Sequence, residues 1–252
     1  MGEVTGISWT DHTFNPWWGC TKVSPGCNNC YAEAFDKRVG GAHWGKGEPR
    51  RTFGDKHWNE PLKWNRQAEK EGRQHLVFCA SMADVMDDEA PEGARERLWE
   101  LIDETPNLIW QLLTKRPQRY DRYLPDKFRY MNVWLGFTAE DRPNYELRWR
   151  IVRHYVQRRW EFLTWCSYEP ALGPVLPSFC EDDECDEYPD WFIFGGESGS
   201  SRRGCDADWA RELLTECRER NIAFFMKQMG GRTPAEGKAA IPPELNIQEF
   251  PV

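Results

Sequence analysis

The sequence predicts an α/β protein organised as a full or partial parallel (β/α) barrel, and two observations support this fold class. Short segments that are almost continuously apolar recur along the chain, and amphipathic segments of helical period separate them. Parallel strands that are covered on both faces have apolar runs of this kind. Six or seven such strands favour a barrel over an open, doubly wound sheet.

Six strand segments are predicted in order, and a seventh is expected near residues 7–14. The six cover residues 75–81, 108–114, 132–138, 159–167, 190–198 and 222–228. Helices are predicted between them from apolar residues at helical spacing. One such helix has Pro91 in its first turn and buries Ala94, Leu98, Leu101 and Ile102. A second has Leu147, Ile151, Val152 and Tyr155 on its apolar face, and a third has Trp209, Leu213 and Cys217.

No Pro/Ser-rich linker divides the chain, so a single domain is expected over residues 1–230. Within it, residues 15–35 form a cysteine-bearing loop, residues 40–61 a glycine-rich loop, and residues 177–190 an acidic insertion. Residues 231–252 are predicted to be a C-terminal extension.

Composition limits the function classes. No apolar run approaches the ~18 residues of a membrane span, and no secretion signal opens the sequence, so a cytoplasmic location in a bacterial or phage-infected cell is expected. The net charge of −8 excludes general electrostatic attraction to nucleic acid. Basic clusters at 114–123 and 148–160 leave two alternatives, a local basic cleft or ordinary solvated helix faces.

Polar residues follow the predicted strands at their carboxyl ends. In a parallel barrel these ends meet at one mouth, so the residues are predicted to share a site. Lys115, Glu140 and Lys227 are the candidates for catalysis, and Arg116 is the candidate for an anionic substrate group such as a phosphate. The candidates for cofactor contacts are Ser81, Asp84, Thr114, Glu169, Gly195, Gly196 and Glu197. The two glycines would let the backbone approach a ligand closely.

Three cysteines lie within the segment NPWWGCTKVSPGCNNCYAEAF, at Cys20, Cys27 and Cys30, with the spacing Cys-x6-Cys-x2-Cys. The odd count of nine cysteines and a reducing compartment disfavour disulfides. A structural zinc site would need a fourth ligand. The candidates are His43, His57, Cys180 and Cys185, and none of them lies at a spacing that is usual for zinc ligands. The favoured interpretation is a [4Fe–4S] cluster with one iron not held by protein.

An open iron of this kind suits an enzyme that binds S-adenosylmethionine and cleaves it by electron transfer to a 5′-deoxyadenosyl radical. An external electron donor would then be required. A cluster or metal site without radical chemistry is the remaining alternative. Cys79, Cys166, Cys205 and Cys217 are interpreted as small buried hydrophobic residues.

Longer motifs extend this interpretation. Seven motifs between residues 7 and 230 resemble the phage-associated three-cysteine-motif family of unknown function, which is described as radical-SAM-like. They are ISWTDHTFNPWWGCTKVSPGCNNCYAE, SMADVM, LLTKRP, VWLGFTAE, YEPALGP, FGGESG and FFMKQMG. The resemblance implies a radical-SAM-like barrel in which Cys20, Cys27 and Cys30 are the cluster ligands. It also implies a frequent companion, the three-cysteine-motif partner protein.

One feature departs from the usual radical S-adenosylmethionine pattern of Cys-x3-Cys-x2-Cys. The first gap is longer, and Asn29 stands where an aromatic residue would precede the last cysteine, with Tyr31 following instead. The phage association and the basic clusters favour a nucleotide or nucleic-acid substrate, in modification or repair. The alternative is a metal-stabilised module, with zinc or an iron–sulfur cluster, that binds a partner protein or senses redox state without turnover.

Overall fold

The computed structural model describes residues 5–125, 132–158, 162–175 and 187–251. In these ranges the strands form a seven-stranded sheet whose order follows the chain. They are β1 (His12–Thr13), β2 (His75–Cys79), β3 (Leu108–Thr114), β4 (Val133–Ala139), β5 (Leu163–Tyr168), β6 (Trp191–Gly195) and β7 (Ala223–Gln228). Strands in strict chain order have the connectivity of a full or partial (β/α) barrel, whereas the order reverses in a doubly wound sheet. The α/β class is therefore confirmed, while a radical-SAM-like identity stays a prediction.

Helices lie between the strands in the described ranges. They are α1 (Tyr31–Arg38), α2 (Asp55–Trp58), α3 (Glu60–Glu71), α4 (Ala94–Asp103), α5 (Tyr120–Tyr123), α6 (Arg142–Gln157), α7 (Ala207–Arg220) and α8 (Pro234–Ala239). Helix α2 and the first residues of α3 occupy the end of the segment predicted as a glycine-rich loop. The buried ring of Trp58 packs on Phe14 there, 5.3 Å between centroids, which explains the helical turn. No helix in the described ranges is long and apolar enough to cross a membrane.

The chain divides into two compact units. The first contains Met1–Val23 and Ala32–Leu135, and the second contains Ser24–Tyr31 and Gly136–Val252. The division runs through strand β4, and it assigns Cys20 to the first unit and both Cys27 and Cys30 to the second. The prediction of one domain over residues 1–230 stays a prediction.

In the first unit, strands β1, β2 and β3 pair in parallel, with Val77 opposite both His12 and Trp110. Helix α4 buries the predicted apolar face of Ala94, Leu98, Leu101 and Ile102. Its start was wrong in the sequence analysis, because Pro91 precedes the helix. Gly93, with a φ of 71°, turns the chain immediately before Ala94, and only a glycine adopts this backbone conformation readily.

In the second unit, strands β5, β6 and β7 pair in parallel. Helix α6 buries Tyr145, Arg148, Val152 and Tyr155. The predicted face was wrong at Leu147, which is 51% exposed, because Arg148 turns inward to a buried carboxylate. On helix α7, Ala210 is buried with Leu213 and Cys217, whereas Trp209 is half-buried.

The C-terminal extension lies against β7. The amide of Met226 donates to the carbonyl of Ile247 at 2.8 Å, and the amide of Glu249 donates to the carbonyl of Phe224 at 3.0 Å. Leu245 is fully buried. The extension thereby satisfies backbone groups along an edge of the sheet that would otherwise face solvent.

Candidate functional site

None of the three cysteines of the motif forms a disulfide, and each is half-buried. Cys27 closes a short 3₁₀ helix, Pro25–Cys27. Within the residues that the structure describes, no group of three or more His, Cys, Asp or Glu side chains is placed to hold a metal ion. Of the other cysteines, Cys79, Cys166 and Cys217 are buried as predicted, whereas Cys205 is only half-buried. Cys180 and Cys185 lie outside the described residues.

The two histidines considered as zinc ligands have protein partners. Nδ1 of His43 lies 2.8 Å from Oδ1 of the buried Asp36, and Nε2 of His57 lies 2.9 Å from the carbonyl oxygen of Asn15. Both rings are therefore engaged by the loops and helices that surround them.

In the first unit, Asp84 collects four donors beyond the end of strand β2. Its side chain accepts from the hydroxyl of Thr114 at 2.7 Å and from the amides of Met86 and Lys115 at 2.9 and 3.0 Å. The fourth donor is Nη1 of Arg116, at 2.7 Å. Asp84 is 6% exposed, so these partners satisfy a carboxylate that is almost removed from water. The structure thus brings together four residues predicted for this site, Asp84, Thr114, Lys115 and Arg116, and Asp84 holds the turn after β3.

Arg116 connects this carboxylate to the first cysteine. Nη1 of Arg116 donates to Sγ of Cys20 at 3.5 Å, and Nη2 donates to the carbonyl oxygen of Thr21 at 2.6 Å. Burial, followed by the charge of Asp84, raises the pKa of the Cys20 thiol to about 12, against the opposing effect of Arg116. Burial alone would lower the pKa of Arg116, but the carboxylate of Asp84 raises it. The guanidinium is therefore a permanent cation beside the sulfur.

A second buried arginine holds the same stretch of chain. Arg50 donates to Asp87 at 3.0 Å, to the hydroxyl of Thr21 at 2.9 Å and to Glu89 at 2.8 Å. Its Nη1 also donates to three backbone carbonyls between residues 43 and 48. Arg50 therefore fixes the loop that follows Cys20.

Two other predicted residues of the first unit have simpler surroundings. Ser81 is half-buried, and its hydroxyl accepts from the side-chain amide of Asn15 at 3.1 Å. Lys115 is half-buried and anchors its backbone amide on Asp84.

In the second unit, Glu140 is fully buried just after strand β4. It accepts from the hydroxyl of Ser24 at 2.6 Å and from Nη1 of Arg148 at 2.8 Å. A Cβ atom at Gly26 would lie 2.4 Å from Cγ of Glu140, so only glycine fits against this side chain. The hydroxyl of Ser24 also lies 3.7 Å from Sγ of Cys27. Glu140 thus holds the start of the segment that carries the second and third cysteines.

Glu197 holds the other part of that segment. It is 6% exposed and accepts from the side-chain amide of Asn29 at 3.1 Å. The backbone amide of Arg203 donates to it at 2.8 Å, and the Arg203 guanidinium forms a two-point contact with the same carboxylate. Although burial alone would raise the pKa of Glu197, the hydrogen bonds from Arg203 and Asn29 hold it below its ordinary value. Asn29, the residue that departs from the radical-enzyme pattern, therefore has a structural partner.

Two of the remaining predicted residues of the second unit, Lys227 and Glu169, form a partly buried ion pair. Nζ of Lys227 lies 2.6 Å from Oε1 of Glu169, and the side chains are 27% and 17% exposed. A Cβ atom at Gly195 would lie 2.2 Å from Oε1 of Glu169, and one at Gly196 would lie 2.4 Å from the amide nitrogen of Gly230. Gly195 and Gly196 therefore leave room for the side chain of Glu169 and the backbone of Gly230.

Five residues outside the predicted site contact buried carboxylates: Ser24, Asn29, Arg50, Arg148 and Arg203. The motif itself offered a signal for two of them, since Ser24 and Asn29 flank Cys27 and were visible beside it. The sequence did not indicate that the arginines are buried, because ordinary solvated arginines have the same sequence appearance.

The fold and these contacts define an α/β protein with barrel connectivity, in which each unit has buried carboxylates beyond its strand ends that hold a cysteine-bearing segment. The chain belongs to the family described as "Protein of unknown function (DUF5131)", whose model matches residues 4–248. No curated protein and no solved structure matches the chain.

Proposed function

We propose that this protein is an iron–sulfur enzyme of the radical S-adenosylmethionine type, with Cys20, Cys27 and Cys30 as the thiolate ligands of a [4Fe–4S] cluster. The observation that carries the proposal is the spacing Cys-x6-Cys-x2-Cys of three cysteines that form no disulfide. Three thiolates leave one iron of such a cluster open to a small chelating molecule.

Side chains of the protein lie at two of these sulfurs. An N–H donor of Arg116 lies on Cys20, and a hydroxyl of Ser24 lies beside Cys27. Hydrogen bonds to ligand sulfurs are one of the means by which proteins tune iron–sulfur clusters. When bound, the cluster would supply the electron that cleaves the sulfonium of S-adenosylmethionine.

The chain's own residues have two tasks in this proposal. Asp84, Glu140 and Glu197 hold the cysteine-bearing segments through their donors, and they act by position. Glu169 and Lys227 are more accessible, and they are the proposed contacts for S-adenosylmethionine and substrate. The carboxylate of Glu169 suits an ammonium group or a ribose hydroxyl, and the ammonium of Lys227 suits an anionic group.

A nucleotide or nucleic acid is the proposed substrate class. Support comes from the resemblance to a phage-associated family and from Lys115 and Lys227, which stand at strand ends. The basic cluster at 114–123 supports it less, because Arg116 is buried on Asp84 and Arg119 pairs with Asp88 at 2.5 Å. The nucleic acid would then bind in a confined groove, and its affinity would fall steeply as the salt concentration rises.

The test is metal analysis of protein purified without oxygen. We expect a brown protein with about four irons per chain that bleaches with dithionite. Incubation with reductant and S-adenosylmethionine should release 5′-deoxyadenosine. Cys27→Ala should lose both iron and product, whereas Cys205→Ala, which removes a half-buried thiol outside the motif, should retain them. Iron-loaded protein that releases no more 5′-deoxyadenosine than Cys27→Ala would rule out the radical chemistry.

A second candidate function is a metal-stabilised module that binds a partner, such as the three-cysteine-motif partner protein, or senses redox state. The observation that favours it is the occupation of Asp84, Glu140 and Glu197 by the protein's own donors. Colourless protein with one zinc per chain would support this module. So would a cluster whose reversible loss changes partner binding without turnover.

A further inference from the structure

Two arginines of the first unit lie over aromatic rings at the protein surface. Cζ of Arg51 lies 4.5 Å from the ring centroid of Trp18 and 5.4 Å from that of Phe53. Cζ of Arg38 lies 5.6 Å from the ring centroid of Phe35. The rings are continuous, because Trp18 meets each phenylalanine edge-on, with 5.8 Å between centroids. We call these five residues the arginine–aromatic face.

The local backbone holds Arg51 in place over its rings. Trp18 and Arg51 form an antiparallel bridge and exchange two backbone hydrogen bonds, at 3.0 and 2.9 Å. The side chain of Arg50 is only 1% exposed, and it pairs with Asp87 and Glu89. Because successive residues of an extended segment point to opposite sides, the inward direction of Arg50 turns Arg51 toward solvent. A cation that is already oriented loses little freedom when it binds a ligand.

The positive charge of this face is not neutralised by neighbours. Within the residues that the structure describes, neither Arg38 nor Arg51 forms an ion pair. By contrast, Arg97 lies 4.6 Å from the ring centroid of Trp58 but pairs with Asp55 at 2.7 Å. Residues 37–56 contain six lysines and arginines and two acidic residues, in a chain of net charge −8. Anions are therefore attracted to this segment by its local charge, against the charge of the whole chain.

The chemistry of the face suits a phosphate that is joined to a planar base. A guanidinium over a ring keeps its N–H edge available to phosphate oxygens, which it can bind through two parallel hydrogen bonds. Both Arg38 and Arg51 are exposed, and Phe35 is 38% exposed, so the cations and a ring reach solvent together. Bases of a single strand stack on aromatic rings and guanidinium planes, whereas the bases of a duplex stack on one another.

We propose that the arginine–aromatic face binds single-stranded nucleic acid, with Arg38 and Arg51 on phosphates and Phe35 under a base. An acidic peptide would also meet the two cations, but its carboxylates offer no planar base to the exposed ring. The proposal goes beyond the proposed function and requires neither an iron–sulfur cluster nor S-adenosylmethionine.

The experiment measures the binding of a fluorescent oligo(dT) of about 20 nucleotides to the full chain by anisotropy, between about 50 and 200 mM salt. A duplex of the same length and a poly-glutamate peptide are the competitors. The variants are Phe35→Leu and the double variant Arg38→Gln/Arg51→Gln, with melting measured in parallel. Arg66→Gln is the charge-matched control, since Arg66 is exposed on helix α3 of the same unit.

The two variants should weaken binding in different ways. The double variant should bind less tightly, and the slope of log affinity against log salt should fall by about 0.7 for each arginine that contacts a phosphate. Phe35→Leu should lower the affinity at least about fivefold and keep the wild-type slope, because it removes a stacking ring and no charge. Arg66→Gln should stay within about twofold of wild type, since salt screens a distant exposed charge. The duplex should compete less well than unlabelled oligo(dT).

Two results would overturn the inference. One is wild-type protein that does not bind oligo(dT), or a double variant with wild-type affinity and slope. The other is poly-glutamate that competes as well as oligo(dT) while Phe35→Leu binds normally, which would assign the face to an acidic protein partner. If Phe35→Leu melts early, the slope of the double variant decides. Iron content and release of 5′-deoxyadenosine test the proposed function separately, so the two can fail independently.

Discussion

The two units hold their cysteines by different means. In the first unit a cation reaches the sulfur directly, because Arg116 lies between Asp84 and Cys20. In the second unit, Glu140 and Glu197 bind neighbours of the cysteines, Ser24 and Asn29.

The difference separates two physical tasks. A guanidinium on a thiol changes the electrostatics of that sulfur, whereas a carboxylate on a neighbouring hydroxyl or amide fixes only the path of the loop. In both units the carboxylate has an arginine partner, because a nearly buried charge is costly without one. The pair of Glu140 and Arg148 is deeply buried, and Arg203 beside Glu197 is one-third exposed at its side chain.

The substitution that should lower the stability of the protein most is at Glu140. Glu140→Ala leaves Arg148 without its buried partner and releases Ser24, so the free energy of unfolding should fall by about 3–5 kcal/mol in urea denaturation. Glu146→Gln is the control, since the pair of Glu146 and Arg142 is about half exposed. The control should change stability by less than about 1 kcal/mol. Equal losses in both variants would mean that Glu140 does not hold the second unit's cysteine segment.

A smaller effect is expected for Gly26→Ala. The new methyl group would lie 2.5 Å from Oε1 of Glu140, a side chain that Ser24 and Arg148 already fix. Overpacking of this kind should lower the free energy of unfolding by about 1–3 kcal/mol. Gly204→Ala serves as the control in the same unit, because no atom lies within 4 Å of its added Cβ. Unchanged stability of Gly26→Ala in thermal melts would contradict the close packing on Glu140.

The smallest effect concerns pH and Glu197. Arg203 and Asn29 hold the pKa of Glu197 below its ordinary value despite burial. The ionised carboxylate therefore contributes to the stability of the folded state at pH values above the unfolded pKa, about 4.3. That contribution is lost as the pH falls through the folded pKa. Unfolding curves between about pH 6 and pH 3 should therefore show that the stability advantage of wild type over Glu197→Gln shrinks toward acid. A constant advantage, or the same trend for the exposed Glu219→Gln, would contradict this linkage.

Much of the architecture was predictable because it depends on local pattern. The apolar runs at 108–114 and 222–228 became β3 and β7, and the helical spacing around Leu98 gave the buried face of α4. Errors arose where a tertiary partner outweighed the local pattern. Leu147 faces solvent because Arg148, the next residue, turns inward to Glu140.

The positions of the candidate residues relative to the strands were predictable, but their contacts were not. Asp84, Glu140 and Glu197 were correctly placed just beyond strand ends. That each would be occupied by donors of the chain could not be read from sequence, because in each case at least one donor is distant in it. Ser24 is 116 residues from Glu140, and Asn29 is 168 residues from Glu197.

By itself, the sequence determined the α/β class, the order of the strands and the spacing of three thiols, since these follow from side-chain periodicity and covalent order. The tertiary structure alone decided which charged residues are buried and what each one holds. The physical reason is that a carboxylate can be removed from water only where packing supplies its donors. Arg116 on Asp84 and Ser24 on Glu140 are two contacts beside the cysteines that meet this requirement.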